Sequence, residues 1–91
     1  MTINYDDVPV DYMKPGIRDY IEDGCPTGGF LYALLTNDLR GAVARADENN
    51  MRVLVEWVHW LYNEAPSLCW GSPDRVTEWM KLKQATRSEK G

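Results

Sequence analysis

The stretch from Asn50 to Pro66, NMRVLVEWVHWLYNEAP, limits what this chain can fold into more than any other. At 3.6 residues per turn its polar side chains Arg52, Glu56, His59 and Asn63 fall in one narrow line. Met51, Leu54, Val55, Val58, Leu61 and Tyr62 lie on one side of that line, and Val53, Trp57 and Trp60 on the other. A surface helix carries a single apolar stripe, so a helix that is polar along only a thin strip is expected to be covered from several directions. The segment therefore reads as a central helix, over about residues 48–64, on which the other elements lean.

The remaining segments supply those elements. Asp11 is placed to cap a first helix over about Tyr12 to Asp23, with Pro15 in its first turn and Ile17, Tyr20 and Ile21 as its apolar face. Gly24 offers a left-handed end and Pro26 forbids continuation. Thr27 reads as the cap of the next helix, where Phe30, Leu31, Leu34 and Leu35 form a strong patch. Thr36-Asn37-Asp38 favour caps and turns over helix interiors, so a break is expected there before Leu39, Ala42, Val43 and Ala46 resume helical spacing. A single bent helix from Gly28 to Ala46 is the other reading. Gly41 and the alanines leave room for a close neighbour, with the Trp57–Trp60 pair as filler. The polar cluster Asp47 to Asn50 suits the start of the central helix, and Ala65-Pro66 its end. Residues Ser67 to Gly71 form a short connection expected to tuck against the core. Ser72 then caps a last helix with Pro73 at its first position and Asp74 in its first turn. Val76, Trp79 and Met80 are its inner stripe, and it is expected to fade by Lys83 or Gln84. The fold class is all-α: a compact bundle of four or five short helices in one domain, with an irregular acidic lead-in over residues 1–10 and a disordered basic tail over 85–91.

A chain of 91 residues holds one modest core, and four Trp and five Tyr enlarge it. Cys25 and Cys69 are far apart and form no C-x-x-C motif. The acidic N-terminus lacks the apolar run of a secretory signal, so two reduced, largely buried thiols in a cytoplasmic protein are expected. No apolar run is long enough to span a membrane. The net charge of −4 is unevenly placed. Asp6, Asp7, Asp11, Asp19, Glu22 and Asp23 crowd the first quarter, while Lys81, Lys83, Arg87 and Lys90 lie near the end. An acidic body argues against direct nucleic-acid binding, which relies on clustered Lys and Arg.

Candidate chemistry is sparse. His59, the one histidine, lies between Glu56 and Asn63 on the polar strip, but a general base needs a nucleophile within reach and an orienting partner. One His, two distant Cys and scattered carboxylates match no metal-ligand spacing. Pro26-Thr27-Gly28-Gly29 lacks the Lys of a phosphate loop. The acidic pairs Asp6-Asp7 and Glu22-Asp23 sit where nothing excludes water. No catalytic residue, cofactor or metal is therefore assigned. The aromatic set Trp57, Trp60, Trp70 and Trp79 reads as core, with one or two members free to anchor an interface.

Several pieces carry a family resemblance in order and spacing: Pro26-Thr27-Gly28-Gly29-Phe30-Leu31, Leu35-Thr36-Asn37-Asp38-Leu39, Arg45-Ala46-Asp47, Leu61-Tyr62-Asn63-Glu64-Ala65-Pro66 and Cys69-Trp70-Gly71-Ser72-Pro73. Over about residues 9 to 80 the chain resembles a group of small uncharacterised bacteriophage and prophage proteins. The resemblance implies a short intracellular protein made in the cytoplasm of an infected or lysogenic bacterium, and it brings no activity or cofactor.

The leading expectation is a non-enzymatic accessory protein that binds a host or phage protein. In its specific form it is an acidic inhibitor of a host defence or nucleic-acid-processing complex. Glu22, Asp23, Glu56, His59, Trp60, Asn63 and Trp70 are the candidate partner-binding residues. A homo-oligomeric structural or regulatory helical domain, for instance a homodimer that buries surplus Trp and Tyr between copies, is the alternative. A small ligand binder or enzyme using Glu56, His59 and Asn63 ranks below it. A DNA reader ranks last, because the helix that would enter the groove is too apolar.

Overall fold

The computed structural model describes residues 3–90, with side chains to residue 86. Six α-helices and three 3₁₀ turns make up the described chain, and no strand occurs among these residues. The helices are α1 (Lys14–Asp23), α2 (Gly29–Leu35), α3 (Leu39–Arg45), α4 (Glu48–Arg52), α5 (Leu54–Glu64) and α6 (Pro73–Lys90). The all-α bundle is as expected, with one more helix than the four or five anticipated.

The extra helix comes from the central segment. Val53, at φ −117° and ψ 28°, leaves helical geometry and divides the 48–64 stretch into α4 and α5. A β-branched residue suits this position better than a helix interior. Asp47 caps α4 as expected, its carboxylate accepting from the Asn50 amide. Asn50 is itself buried, and its side-chain oxygen accepts from Trp57 Nε1 at 2.8 Å, which ties α4 to α5 across the break.

All-round coverage of the central segment is corrected. Trp57, Trp60 and Leu61 are buried, but Val55, Val58 and Tyr62 face water, and Met51 is exposed on α4. The large Trp57 ring meets Phe30 edge-on at 6.1 Å and Trp60 at 6.4 Å, so one face of α5 is enough to fill the core. Among the described residues no element covers the opposite face.

Around that face the predicted stripes fall into place. Ile17, Tyr20 and Ile21 of α1 are buried, as are Phe30, Leu31, Leu34 and Leu35 of α2 and Val76 of α6. Gly24 ends α1 with φ 70°, and Pro15 sits in its first turn. Asp11 does not cap α1: it lies in a 3₁₀ turn (Asp11–Met13) and pairs with Lys14 at 2.9 Å. Thr27 is likewise not a cap, since α2 starts one residue later on the extended Gly28 with no side-chain cap bond. The break between α2 and α3 is real. Asn37 adopts φ 64° there, and Asp38 caps α3 by accepting from the Gly41 amide at 2.9 Å. Gly41 serves this cap, because a Cβ at its place would lie 2.2 Å from Asp38 Oδ2.

Both chain ends are more ordered than expected over the described residues. The lead-in folds back as a strap with a 3₁₀ turn (Tyr5–Asp7), burying Val8 and Val10. The Asn4 amide donates to Glu64 Oε1 at 2.8 Å, and the Asn4 carbonyl accepts from Trp60 Nε1 at 2.9 Å. At the other end, α6 does not fade at Lys83 or Gln84 but runs on to Lys90, over most of the tail expected to be disordered. Gln84 Nε2 donates to the Gly24 carbonyl at 3.0 Å, docking the helix on the end of α1 beyond its apolar stripe. Met1, Thr2 and Gly91 lie outside the described residues.

Candidate functional site

The sequence between α5 and α6 contains the third 3₁₀ turn (Ser67–Cys69) and then Trp70 and Gly71. As anticipated it is tied down, though not uniformly tucked in. Cys69 is buried and its carbonyl accepts from the buried Tyr20 hydroxyl at 2.6 Å. The Gly71 amide donates to the Leu35 carbonyl at 2.7 Å. Gly71 takes φ 118°, a backbone that disfavours any side chain. Arg75 Nη1, one turn into α6, donates to the Ser67 and Trp70 carbonyls at 3.1 and 3.4 Å. Ser72 caps α6, accepting from the Arg75 amide at 3.2 Å. Three separate anchors thus hold the turn, while Leu68 at its centre is left 67% exposed.

Four depressions with shared walls run from the lead-in strap past this turn to α6. The first, about 380 Å³, lies between α5 and the lead-in strap and is lined by Asp7, Pro9, Val53, Glu56, His59, Trp60, Asn63 and Glu64. Asn63 and Glu64 also line the second, about 510 Å³, with Ile3, Tyr62, Leu68 and Trp79. Leu68 and Trp79 pass on to the third, about 290 Å³, completed by Asp74, Arg75, Glu78 and Leu82. The fourth joins Tyr62 and Ala65 to Trp70, Gly71 and Arg75. Tyr62 is 80% exposed and Leu82 55%. Together the depressions form a joined, grooved surface whose lining mixes exposed apolar residues with the carboxylates of Asp7, Glu56, Glu64, Asp74 and Glu78.

The candidate residues read from the sequence divide on this surface. Glu56, His59, Trp60 and Asn63 all line the first depression, and Trp70 lines the fourth. Within this set Trp60 is buried, its indole N–H committed to Asn4, so it forms wall and not free anchor. Arg52 of the same strip pairs with Glu48 at 3.2 Å and lines a neighbouring hollow beside Pro9 and Tyr12. Glu22 and Asp23 line none of these depressions; Glu22 accepts from the Tyr5 hydroxyl at 2.6 Å. Tyr62, Leu68, Leu82 and Arg75 were not among the candidates. Hydrophobicity alone places Tyr62 and Leu68 against the core. Their positions gave a signal all the same: Tyr62 lies far round the helix from Trp57 and Trp60, and Leu68 stands inside a turn beside Ser67.

The polar chemistry of the molecule is directed inward. Among the described residues every buried side-chain nitrogen and oxygen has a hydrogen-bond partner. Burial pushes the Cys69 thiol up to about 12, away from the reactive thiolate. Burial also raises the Tyr20 hydroxyl, and burial followed by the Glu22 hydrogen bond raises Tyr5. At the surface the Tyr12 hydroxyl donates to Asp47, which is held below the usual carboxylate range first by that bond and then by the Asn50 amide. Among the described residues no three His, Cys, Asp or Glu side chains converge as metal ligands, and no helix is long and apolar enough to cross a membrane.

The fold and surface define the chain as a small all-α domain with an open, apolar-centred face. No family model matches the chain, and neither a curated protein nor a solved structure does.

Proposed function

We propose that this protein is a non-enzymatic interaction module, a phage or prophage accessory factor that binds a host or phage protein through the grooved face at the α5–α6 junction. One observation carries the reading: three strongly exposed apolar residues, Tyr62 of α5, Leu68 of the turn and Leu82 of α6, line joined depressions around a turn that three hydrogen-bonded anchors hold in place. Interfaces place large apolar anchors at the centre and polar groups at the rim, and preorganised anchors lose little entropy on binding. In its specific form the acidic surface occupies a basic groove of a host defence or nucleic-acid-processing complex in the bacterial cytoplasm.

The test is affinity capture from a bacterial lysate with three proteins: wild type, Leu68→Asp, and Leu39→Asp on the separate α3 surface. Leu39 is 66% exposed, so both substitutions leave the core alone. The reading expects a stoichiometric partner that is lost with Leu68→Asp and kept with Leu39→Asp. A partner that tolerates Leu68→Asp, or none for wild type at low salt, contradicts it.

A further inference from the structure

We infer that the occupant of the grooved face is a basic amphipathic segment of a partner protein, bearing large apolar anchors and Lys or Arg beside them; this rests on the interaction reading above.

The charge of the walls selects the sign. Asp7, Glu56, Glu64, Asp74 and Glu78 line the joined depressions against one guanidinium, that of Arg75. Arg75 is itself engaged with the Ser67 and Trp70 carbonyls. Glu78 has only a long, exposed contact to Lys81, at 3.9 Å. An apolar segment with acidic flanks would place like charges against these carboxylates, which costs affinity and slows encounter.

The apolar middle selects against charge alone. A polylysine-like chain could neutralise the carboxylates but would leave Tyr62, Leu68 and Leu82 wet. The third depression is walled almost wholly by the side chains of Leu68, Trp79 and Leu82 and the stems of Arg75 and Glu78, a pocket suited to one bulky aliphatic or aromatic side chain. Along α5 the wall from Glu56 to Asn63 covers ~10 Å, and along α6 that from Asp74 to Leu82 covers ~12 Å. Each limb accommodates about two turns of helix. A segment that follows both places cations near Glu56 and Glu78 with its apolar residues over the turn.

The experiment is selection of random displayed peptides on the full-length protein, followed by affinity measurement of the enriched peptides on wild type, Leu68→Asp, and Glu56→Gln/Glu78→Gln. Circular dichroism checks that each variant folds. The inference expects enriched peptides with an excess of Lys and Arg and at least two large apolar residues. It expects about tenfold or greater weakening by Leu68→Asp, a few-fold by the paired Gln substitutions, and affinity that falls with added salt. Acidic or neutral peptides that still require Leu68 overturn the inference and leave the interaction surface standing. Enriched peptides indifferent to Leu68→Asp, or none enriched at all, overturn the inference; the interaction reading falls with it only if the capture experiment also shows no dependence on Leu68. Sedimentation showing a wild-type dimer that Leu68→Asp dissociates assigns the face to a second copy, which also overturns it.

Discussion

At the scale of single residues, the best-determined feature is the bond from Trp57 to Asn50. Both residues are buried, and each supplies the other's partner. Asn50→Ala leaves the indole N–H unsatisfied and is expected to cost about 1–3 kcal/mol in urea unfolding. Trp57→Ala, which empties the centre of the core, is expected to cost about 3–5 kcal/mol. The double variant should fall short of the sum, since the bond can be lost only once. A second consequence concerns alkaline pH. Cys69, Tyr20 and Tyr5 all have pKa values held above their ordinary 9.0, 10.0 and 10.0, chiefly by burial. Between those values and the raised ones the folded chain keeps protons that the unfolded chain releases. Stability is therefore full below about pH 9 and declines as pH rises further. Urea midpoints flat from pH 8 to 11 would contradict this. At this scale the sequence was legible where a residue's chemistry is local. Gly24, Asp38, Asp47 and Ser72 act at the ends where spacing put them. The Asn50–Trp57 pair was not legible, because a polar residue before a helix reads equally well as a cap.

Among the elements, the two breaks decide the shape. Asn37 at φ 64° is the only described non-glycine residue with positive φ, and it separates α2 from α3. Asn37→Gly should be close to neutral, whereas Asn37→Val should destabilise by about 1–2 kcal/mol in thermal unfolding. Gly24 carries a heavier constraint. Beyond its own φ of 70°, a Cβ there would lie 2.9 Å from the Met80 carbonyl and 2.8 Å from Lys83 Cβ. Gly24→Ala should therefore push α6 off α1 and cost more than about 1 kcal/mol; an unchanged melting temperature would contradict this contact. The polar run Thr36-Asn37-Asp38 announced the first break. The second, at Val53, was hidden because a single valine in an apolar helical pattern carries no turn signature. Coverage of α5 was misread for a related reason. Periodicity tells which residues share a side, but a half-covered apolar helix and a fully covered one have the same pattern. Among the described residues no element lies over Val55, Val58 and Tyr62.

For the molecule as a whole, the bundle closes its core with Tyr20, Phe30, Trp57 and Trp60 and leaves apolar surface, Tyr62 included, at the α5–α6 junction. The class of fold followed from helical spacing and capping signals in segment after segment. The surface did not, since it is assembled from residues 3–9, 53–71 and 74–82, whose proximity only the packing of α6 and the strap creates. Three of the eight residues lining the first depression are legible as the Glu56–His59–Asn63 strip. The turn between the helices, which holds the exposed Leu68, reads from its hydrophobicity as tucked against the core. If this face binds a basic partner, association should slow as salt is added, since the net charge of −4 and five lining carboxylates steer the encounter. Association rates independent of ionic strength between low and physiological salt would argue against that steering. The most direct measurement of the central claim is hydroxyl-radical footprinting of the protein alone and bound to its captured partner. The account predicts strong labelling of Tyr62, Leu68 and Leu82 in the free protein, protection of all three in the complex, and unchanged labelling of Leu39 and Val43. Weak labelling of Tyr62 and Leu68 in the free protein, or protection confined to Leu39 and Val43, would contradict it.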